Sequence, residues 1–140
     1  MRYLDSNVFI YAVLADESTE PKARLAKHVL TNIAEGRLPA ATSSLTWDEV
    51  TWNVQKRYGN KVAVEEGARF IEFPSLRILG VDEKILRRAE VVMAATGLDP
   101  RDSIHVACCI ENGITELISN DGDMDQAKSV GVKRLSLEEA

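Results

Sequence analysis

Four acidic side chains stand where this sequence could most easily build a reactive site. Asp5 follows a short apolar segment at the start of the chain, and Glu49 lies one turn into a helix that follows a second apolar segment. Asp102 lies in the first turn of a later helix, and Asp121 follows the apolar segment 117–119. If the apolar segments are parallel strands, their carboxyl ends share one edge of a sheet, which is where ligands bind in such folds.

The chemistry of such a cluster would be metal-dependent. Carboxylates gathered at one edge would repel one another by roughly 1–4 kcal/mol for each close pair, and a divalent cation would remove that cost. Oxygen-only ligands favour hard ions, Mg²⁺ or Mn²⁺, and a pair of such ions about 4 Å apart supports phosphodiester hydrolysis. On this hypothesis Asp5, Asp102 and Asp121 bind a first ion. Glu49 bridges to a second ion or holds it.

Each of the four residues also has a local explanation that needs no ion. Asp5 could cap the helix that follows it, and Glu49 could be a solvated residue on a helix surface. Asp102 suits the dipole at the start of its helix, and Asp121 with Gly122 could form an ordinary turn. Taken singly, these explanations are the simpler ones. The coincidence of all four residues at one edge favours a shared site.

The elements that would position these residues alternate between strand and helix. Pro21 and Pro100 each open a helix, and Gly36, Gly59 and Gly97 each end one. The alternation predicts an α/β fold with a short, mostly parallel central sheet covered by helices on both faces. The strands are expected to be too apolar to face water. Predicted strands are 2–4, 38–42, 76–81, 117–119 and 132–135, with helices at 8–14, 21–35, 44–58, 61–73, 82–96, 100–112 and 125–130.

Composition limits the class of protein. The chain has 140 residues, 17 Lys plus Arg, 22 Asp plus Glu and a net charge of −5, which predicts one globular domain over residues 1–140. The acidic balance argues against a protein that coats nucleic acid, although not against an enzyme that cuts it. No apolar run reaches the roughly 18 residues of a membrane span. Asp5 stands where a signal peptide would be apolar, so we expect a cytoplasmic protein.

Four short motifs, spread over nearly the whole chain, resemble those of a known family. They are residues 4–7 (LDSN) before an apolar helix, 44–50 (SLTWDEV), 100–107 (PRDSIHVA) and 118–121 (ISND). In this order they resemble the PIN-domain ribonucleases, above all the small single-domain toxins of VapBC-type toxin–antitoxin pairs.

The resemblance implies a three-layer α/β/α, Rossmann-like fold, metal-dependent cleavage of RNA, homodimers and inhibition by a cognate antitoxin. Carried onto this sequence, it implies a catalytic metal site made of the four acidic residues, Asp5, Glu49, Asp102 and Asp121. It further implies that Asn7, Ser119 and Asp123 support these ligands or occasionally join them.

Several other residues have plausible roles. Lys56, Arg57 and Arg101 are candidate contacts for RNA phosphates. We expect His105 to pack or to form a hydrogen bond rather than to act as a general base. Trp47, Trp52 and Tyr58 could stack on bases, but at least two of them are expected to lie in the core or in a dimer contact. Adjacent Cys108 and Cys109 favour neither a disulfide nor a zinc site and are expected to be buried.

Two other functions stay open. A phosphoacceptor or phosphatase domain also gathers carboxylates at strand ends, but it needs a lysine at a late strand end, which this sequence lacks. A catalytically silent PIN domain would use the same scaffold only to bind partners. Dimerisation is expected through the helices of residues 46–73, where Trp52, Val64 and Phe70 look exposed.

Overall fold

Five parallel strands form the centre of the computed structural model, which describes all residues 1–140. The strands are β1 (Arg2–Leu4), β2 (Ala40–Ser43), β3 (Leu76–Leu79), β4 (Glu116–Ile118) and β5 (Lys133–Leu135). Their order in the sheet is β3-β2-β1-β4-β5, and every neighbouring pair is parallel. The predicted α/β fold is therefore confirmed.

The helices follow the sequence signals closely. Asp82 caps the helix Glu83–Thr96 by accepting a hydrogen bond from the Ile85 amide at 3.0 Å, and Gly97 ends that helix in the left-handed conformation. Asp99 caps the helix Pro100–Glu111, with Pro100 at its first position. The helices are α1 (Ser6–Leu14), α2 (Pro21–Ala34), α3 (Ser44–Tyr58), α4 (Asn60–Ile71), α5 (Glu83–Thr96) and α6 (Pro100–Glu111), with a 3₁₀-helix at Gly122–Val130.

Two separate apolar cores cover the two faces of the sheet and make the molecule three layers thick. Successive residues of a strand point to opposite faces, so Tyr3 packs in one core and Leu4 in the other. The Tyr3 core includes residues of α5, α6 and the 3₁₀-helix. The Leu4 core includes residues of α1, α2, α3 and α4. The α/β/α layering is thus the one that the family resemblance implies.

One expectation about the sheet is wrong. The strands were expected to be shielded from water, but β3 is an edge strand in which Arg77 and Ile78 are exposed. Only its last residue, Leu79, is buried. An edge strand lacks a neighbour on one side, and a charged residue there discourages pairing with another chain.

The strand order places a crevice at the carboxyl edge of the sheet. The chain winds outward from β1 through β2 to β3 and then crosses to β4 on the other side of β1. Such a reversal opens a ligand crevice beyond the strand ends, here between β1 and β4. Leu4 pairs with Ile118, so Asp5 and Ser119 emerge side by side at this point. None of the helices is both long and apolar enough to cross a lipid bilayer.

Candidate active site

Asp5 sits at the centre of the crevice and does not cap its helix. It occupies the N-cap position of α1, yet its side chain accepts no capping hydrogen bond. Instead, Oδ2 accepts hydrogen bonds from Ser119 Oγ at 2.7 Å and from Asn7 Nδ2 at 3.2 Å. Because the carboxylate is buried, these bonds replace lost hydration. The capping explanation for Asp5 is therefore wrong.

Ser119 joins three segments of the site through one hydroxyl group. Its Oγ lies 3.0 Å from Asn7 Nδ2 and 3.0 Å from the Asp121 amide, both of which can only donate. The single hydroxyl hydrogen must therefore point to Asp5 Oδ2. Asn7 also accepts from the Asn120 amide through Oδ1, at 3.3 Å. These bonds fix the direction of the Asp5 carboxylate.

Glu49 points into the site from α3 and is not a solvated surface residue. Its side chain is 18% exposed, and its Oε1 lies 2.7 Å from His105 Nε2. The same nitrogen lies 3.5 Å from Asp5 Oδ1. His105, on α6, therefore stands between the carboxylates of β1 and α3, so the structure brings Asp5 and Glu49 together.

A buried tyrosine completes this part of the site. Tyr3 Oη lies 2.6 Å from His105 Nδ1, and both side chains are fully buried. Burial raises the pKa of the Tyr3 hydroxyl well above its usual value, so it keeps its proton. Burial alone would lower the pKa of His105, but the Glu49 hydrogen bond and the nearby carboxylates outweigh it and raise the pKa.

Among the four candidate ligands, Asp102 is the one whose carboxylate accepts no hydrogen bond. The backbone amide of Asp102 donates a hydrogen bond to Asp99 Oδ1 at 2.8 Å, but the Asp102 side chain has no hydrogen-bond partner in the chain. Burial, followed by the charges of Asp99, Asp5 and Asp121, raises the pKa of Asp102 to about 7. A neighbouring negative charge disfavours the ionised form of a carboxyl group, so Asp5 and Asp121 add to the effect of burial. Asp102 thus shares the field of Asp5 and Asp121.

Asp121 and Asp123 lie on the outer side of the crevice. Asp121 caps the 3₁₀-helix by accepting from the Asp123 amide at 2.9 Å, so its local turn explanation is also correct. Arg134 fixes this segment, because it donates to Asp125 at 2.7 Å and to the Ser119 carbonyl at 3.1 Å. Asp102 and Asp123 line a neighbouring cavity of about 460 Å³.

The donor set fits a hard divalent cation, although the ligands are not closed around one. Asp5, Glu49, Asp102 and Asp121 supply only oxygen atoms, as Mg²⁺ and Mn²⁺ prefer. The half-buried Asp102 carboxylate, repelled by its neighbours, is the kind of group that a cation stabilises. As they stand, however, no three acidic, histidine or cysteine side chains are grouped tightly enough to hold an ion between them.

The candidate RNA contacts lie outside this cluster. Arg101 is exposed beside Asp102. Lys56 and Arg57 are exposed in the last turn of α3, so Lys56 lies roughly 10 Å along the helix axis from Glu49. The ammonium of Lys56 stands 3.9 Å from the centre of the Trp52 ring. The structure does not bring these two basic residues to the carboxylates.

Predictions for other side chains have mixed outcomes. Cys108 and Cys109 are buried free thiols, as expected, and burial raises the pKa of Cys108 to about 11. Trp47, Trp52 and Tyr58 are all exposed, so none of them lies in the core, and a dimer contact stays a prediction for them.

The expected dimer face also needs one correction. Trp52 and Val64 are 54% and 63% exposed, as expected, but Phe70 is only 5% exposed. Phe70 packs edge-on against Phe9, with ring centres 5.3 Å apart.

Two residues of the site, Tyr3 and His105, were missed as a pair by sequence reasoning. His105 was expected only to pack or to form a hydrogen bond, which is correct but leaves out its position between two carboxylates. The signal that could have found it is its place one turn after Asp102 on a helix that meets the sheet edge. In the sequence, Tyr3 lies two residues before Asp5 and Asn7 lies two residues after it.

The fold matches those of solved chains over nearly their full length. VapC20 from Mycobacterium tuberculosis, described as a sarcin-ricin loop cleaving toxin, matches with a TM-score of 0.73 and 17% identity, covering 94% of this chain and 96% of that one. FitAcB from Neisseria gonorrhoeae matches with a TM-score of 0.71 and 18% identity, covering 100% of both chains. VapBC2 from Rickettsia felis, bound to promoter DNA, matches with a TM-score of 0.71 and 17% identity, covering 97% of this chain and 98% of that one.

At these identities the solved structures establish the fold alone, and no curated protein matches the chain. The sequence itself matches the PIN domain family model over residues 2–130. That span contains all four motifs and every candidate ligand from Asp5 to Asp121, so the resemblance noted from the motifs is confirmed. The chain belongs to the PIN-domain family.

Proposed function

We propose that the chain is a metal-dependent endoribonuclease and the toxin of a toxin–antitoxin pair, acting as a single PIN domain over residues 1–140. Its PIN family membership supports a nuclease. The observation that carries the proposal is the state of Asp102: it has no hydrogen-bond donor, and burial together with the charges of Asp99, Asp5 and Asp121 raises its pKa to about 7. A site with that electrostatic cost is expected where a cation binds.

Asp5, Glu49, Asp102 and Asp121 would hold Mg²⁺ or Mn²⁺, with Asn7, Ser119 and Asp123 supporting them. When bound, such an ion supplies an activated water and charge stabilisation for phosphodiester hydrolysis. The chain's own contribution is orientation, since Ser119 and Asn7 hold Asp5 while His105 contacts Glu49.

Substrate binding would come from basic residues around the crevice. Arg101 borders Asp102 directly, and Lys56 and Arg57 would contact phosphates farther along the RNA. An RNA substrate is in keeping with the description of VapC20 as a sarcin-ricin loop cleaving toxin. The open cavity lined by Asp102 and Asp123 would give an RNA chain access to the Asp102 side of the site.

The partners of this toxin would be a cognate antitoxin and a second copy of the chain, in the cytoplasm. One similar structure, from Klebsiella pneumoniae, is described as a toxin–antitoxin complex. Trp52 and Val64, exposed on α3 and α4, form an apolar surface that a partner would cover. Sedimentation at micromolar concentration tests the homodimer, which a monomer would contradict.

Substitution of the open carboxylate tests the activity. Asp102→Asn keeps the shape of the side chain but removes its charge, so RNA cleavage should fall by about 10²-fold or more. Asp48→Asn is the matched control, because Asp48 is exposed on α3 next to Glu49, and its cleavage rate should be that of the wild type. Cleavage by Asp102→Asn at the wild-type rate, with metal present, would rule out the mechanism.

A second candidate is a catalytically silent PIN domain that only binds partners. The observation in its favour is that no three ligating side chains yet enclose an ion position. Calorimetry with Mn²⁺ separates the two functions, because a silent domain would show no saturable binding. A phosphoacceptor function has less support, since no strand is followed by a lysine.

A further inference from the structure

The hydrogen-bond chain Tyr3–His105–Glu49 is more elaborate than packing requires. It joins β1, α6 and α3, and His105 and Glu49 are 56 residues apart in sequence. His105 is fully buried between two carboxylates rather than at a surface. A buried polar ring is costly unless all of its polar atoms are paired, and here both ring nitrogens are paired.

The direction of these hydrogen bonds follows from the groups involved. An ionised Glu49 carboxylate can only accept, so His105 Nε2 must carry the hydrogen. In a neutral ring, Nδ1 then accepts from the Tyr3 hydroxyl at 2.6 Å. In a charged ring, Nδ1 donates to the same oxygen. Nε2 therefore presents a hydrogen to Glu49 at 2.7 Å in either state.

The consequence for the site lies in the placement of Glu49. This carboxylate has one oxygen, Oε1, on His105 and no hydrogen bond to any other side chain, whereas Asp5 has Ser119 and Asn7 as well. Without His105, the Glu49 side chain would have several rotamers available, and the charge of Asp5 would favour those that turn away.

We propose that His105 is a positioning residue that holds the Glu49 carboxylate beside Asp5, ready to bind a divalent cation, with Tyr3 fixing the orientation of its ring. Because this role rests on the proposed function, its test measures metal binding and the metal-free protein separately from RNA cleavage. Groups that orient metal ligands typically contribute 10- to 100-fold in metal affinity or activity.

Three variants of the full chain test the role, with Mn²⁺ as the probe in calorimetry and unfolding temperature measured without metal. His105→Leu removes the donor, and we expect Mn²⁺ affinity to fall by about 10- to 100-fold. His105→Gln keeps an N–H donor, so it should recover most of that loss. His28→Leu is the matched control, since His28 is the other histidine and is exposed on α2. It should bind Mn²⁺ as the wild type does.

Several results would overturn the positioning role. One is a folded His105→Leu variant that binds Mn²⁺ with wild-type affinity. Another is a His105→Gln variant as weak as His105→Leu, because the hydrogen bond would then not matter. A His105→Leu variant that keeps Mn²⁺ affinity but loses cleavage would place His105 in the reaction itself.

If His105→Leu does not fold, the Tyr3→Phe variant and NMR of the metal-free wild type test the positioning role instead. Tyr3→Phe keeps the packed ring and removes one hydroxyl, so Mn²⁺ affinity should fall by about 3- to 10-fold, a smaller loss than for His105 itself. The histidine ring spectrum should show a hydrogen on Nε2 of His105. Unchanged affinity in Tyr3→Phe, or an Nε2 without hydrogen, would contradict the role.

Failure of the proposed function would give a different pattern. A wild-type chain that neither binds Mn²⁺ nor cuts RNA removes the nuclease proposal, and the positioning role is then lost with it. A wild-type chain that does both, beside an equally active and folded His105→Leu variant, removes the positioning role alone.

Discussion

Around Asp5 every carboxylate oxygen has a protein partner, whereas the Asp102 carboxylate has none. We call Asp5, Asn7 and Ser119 the anchored half of the site, and Asp102, Asp121 and Asp123 the open half. The anchored half is a closed hydrogen-bond network at the switch point of the sheet. In the open half, side-chain contacts are limited to the Asp121 cap, and burial, followed by the nearby like charges, raises the pKa of Asp102 to about 7.

This contrast between the two halves shows how a chain can bring mutually repelling carboxylates together without a cation. One carboxylate is fixed by donors from its own fold, which stabilise its charge at all times. The opposing one is left on a helix terminus, where it can take up a proton when no cation is near. The cost of like charge therefore falls on the half that an ion would contact.

The largest expected effect is on activity, and there the two halves should not differ. Asp5→Asn and Asp102→Asn each remove one charge from the shared site, so both should lower RNA cleavage by about 10²-fold or more. Cleavage assays over a range of Mn²⁺ concentrations measure the loss. A wild-type rate for Asp5→Asn, beside an inactive Asp102→Asn, would mean that the anchored half does not take part.

Stability should separate the halves. In Asp5→Asn an amide nitrogen replaces one carboxylate oxygen. In place of Oδ2 it faces the donors of Ser119 and Asn7. In place of Oδ1 it faces Ser6 Oγ at 3.3 Å and lies 3.5 Å from the protonated Nε2 of His105, whose hydrogen points to Glu49. Burying donors against each other should cost about 1–3 kcal/mol of unfolding free energy. Urea unfolding in EDTA measures it, with Asp48→Asn as the control. A variant as stable as the control would mean that the network is not tight.

The pH dependence of stability should come from the open half. The pKa of Asp102 is about 7 in the folded chain against 3.8 ordinarily, so between these values the folded state holds a proton that the unfolded state has lost. Unfolding free energy of the metal-free protein should therefore fall as pH rises from about 4 to about 7. Asp102→Asn should remove that contribution and be more stable than the wild type at about pH 8.

Urea unfolding in EDTA at about pH 5 and about pH 8 measures this effect. The stability gain of Asp102→Asn over the wild type should be larger at the higher pH, and added Mn²⁺ should stabilise only the wild type. A gain that is the same at both pH values, or a variant less stable at the higher pH, would contradict the charge field assigned to the open half.

The smallest effect is expected where the open half is tied to β5. Arg134 pairs with Asp125, whose side chain is 63% exposed, so the ion pair should contribute about 1 kcal/mol or less. Arg134→Gln should therefore leave cleavage within about threefold of the wild type. Arg77→Gln, on the exposed edge strand, is the control. A loss as large as that of Asp102→Asn would show that Arg134 contacts the substrate or the site.

The sequence predicted the fold because its local signals agree with one another. Pro100 after the Asp99 cap marks the start of α6, and Gly97 marks the end of α5. Both signals depend on local sequence and agree with the periodicity of the helices. The exposure of β3 was missed because three of the four residues of Leu76–Leu79 are aliphatic; Arg77 was the one sign of an edge strand, and the position at the sheet edge follows from the packing of the whole chain.

The site was predictable in its residue types and not in its contacts. Strand ends placed Asp5 and Asp121 at one edge, but no spacing shows which helix face meets which carboxylate. The pairing of His105 with Glu49 depends on how α6 packs against α3. The same limit applies to Phe70, which was expected on the surface but packs against Phe9 because of the orientation of α4.

The central claim is that carboxylates from β1, α3, α6 and the end of β4 share one cation site. Calorimetric titration of the full chain with Mn²⁺ tests it most directly, with Asp48→Asn as the control. We predict saturable binding in the wild type and the control, and loss of that binding in both Asp5→Asn and Asp102→Asn. Equal Mn²⁺ binding in all four proteins, or none in the wild type, would contradict the claim.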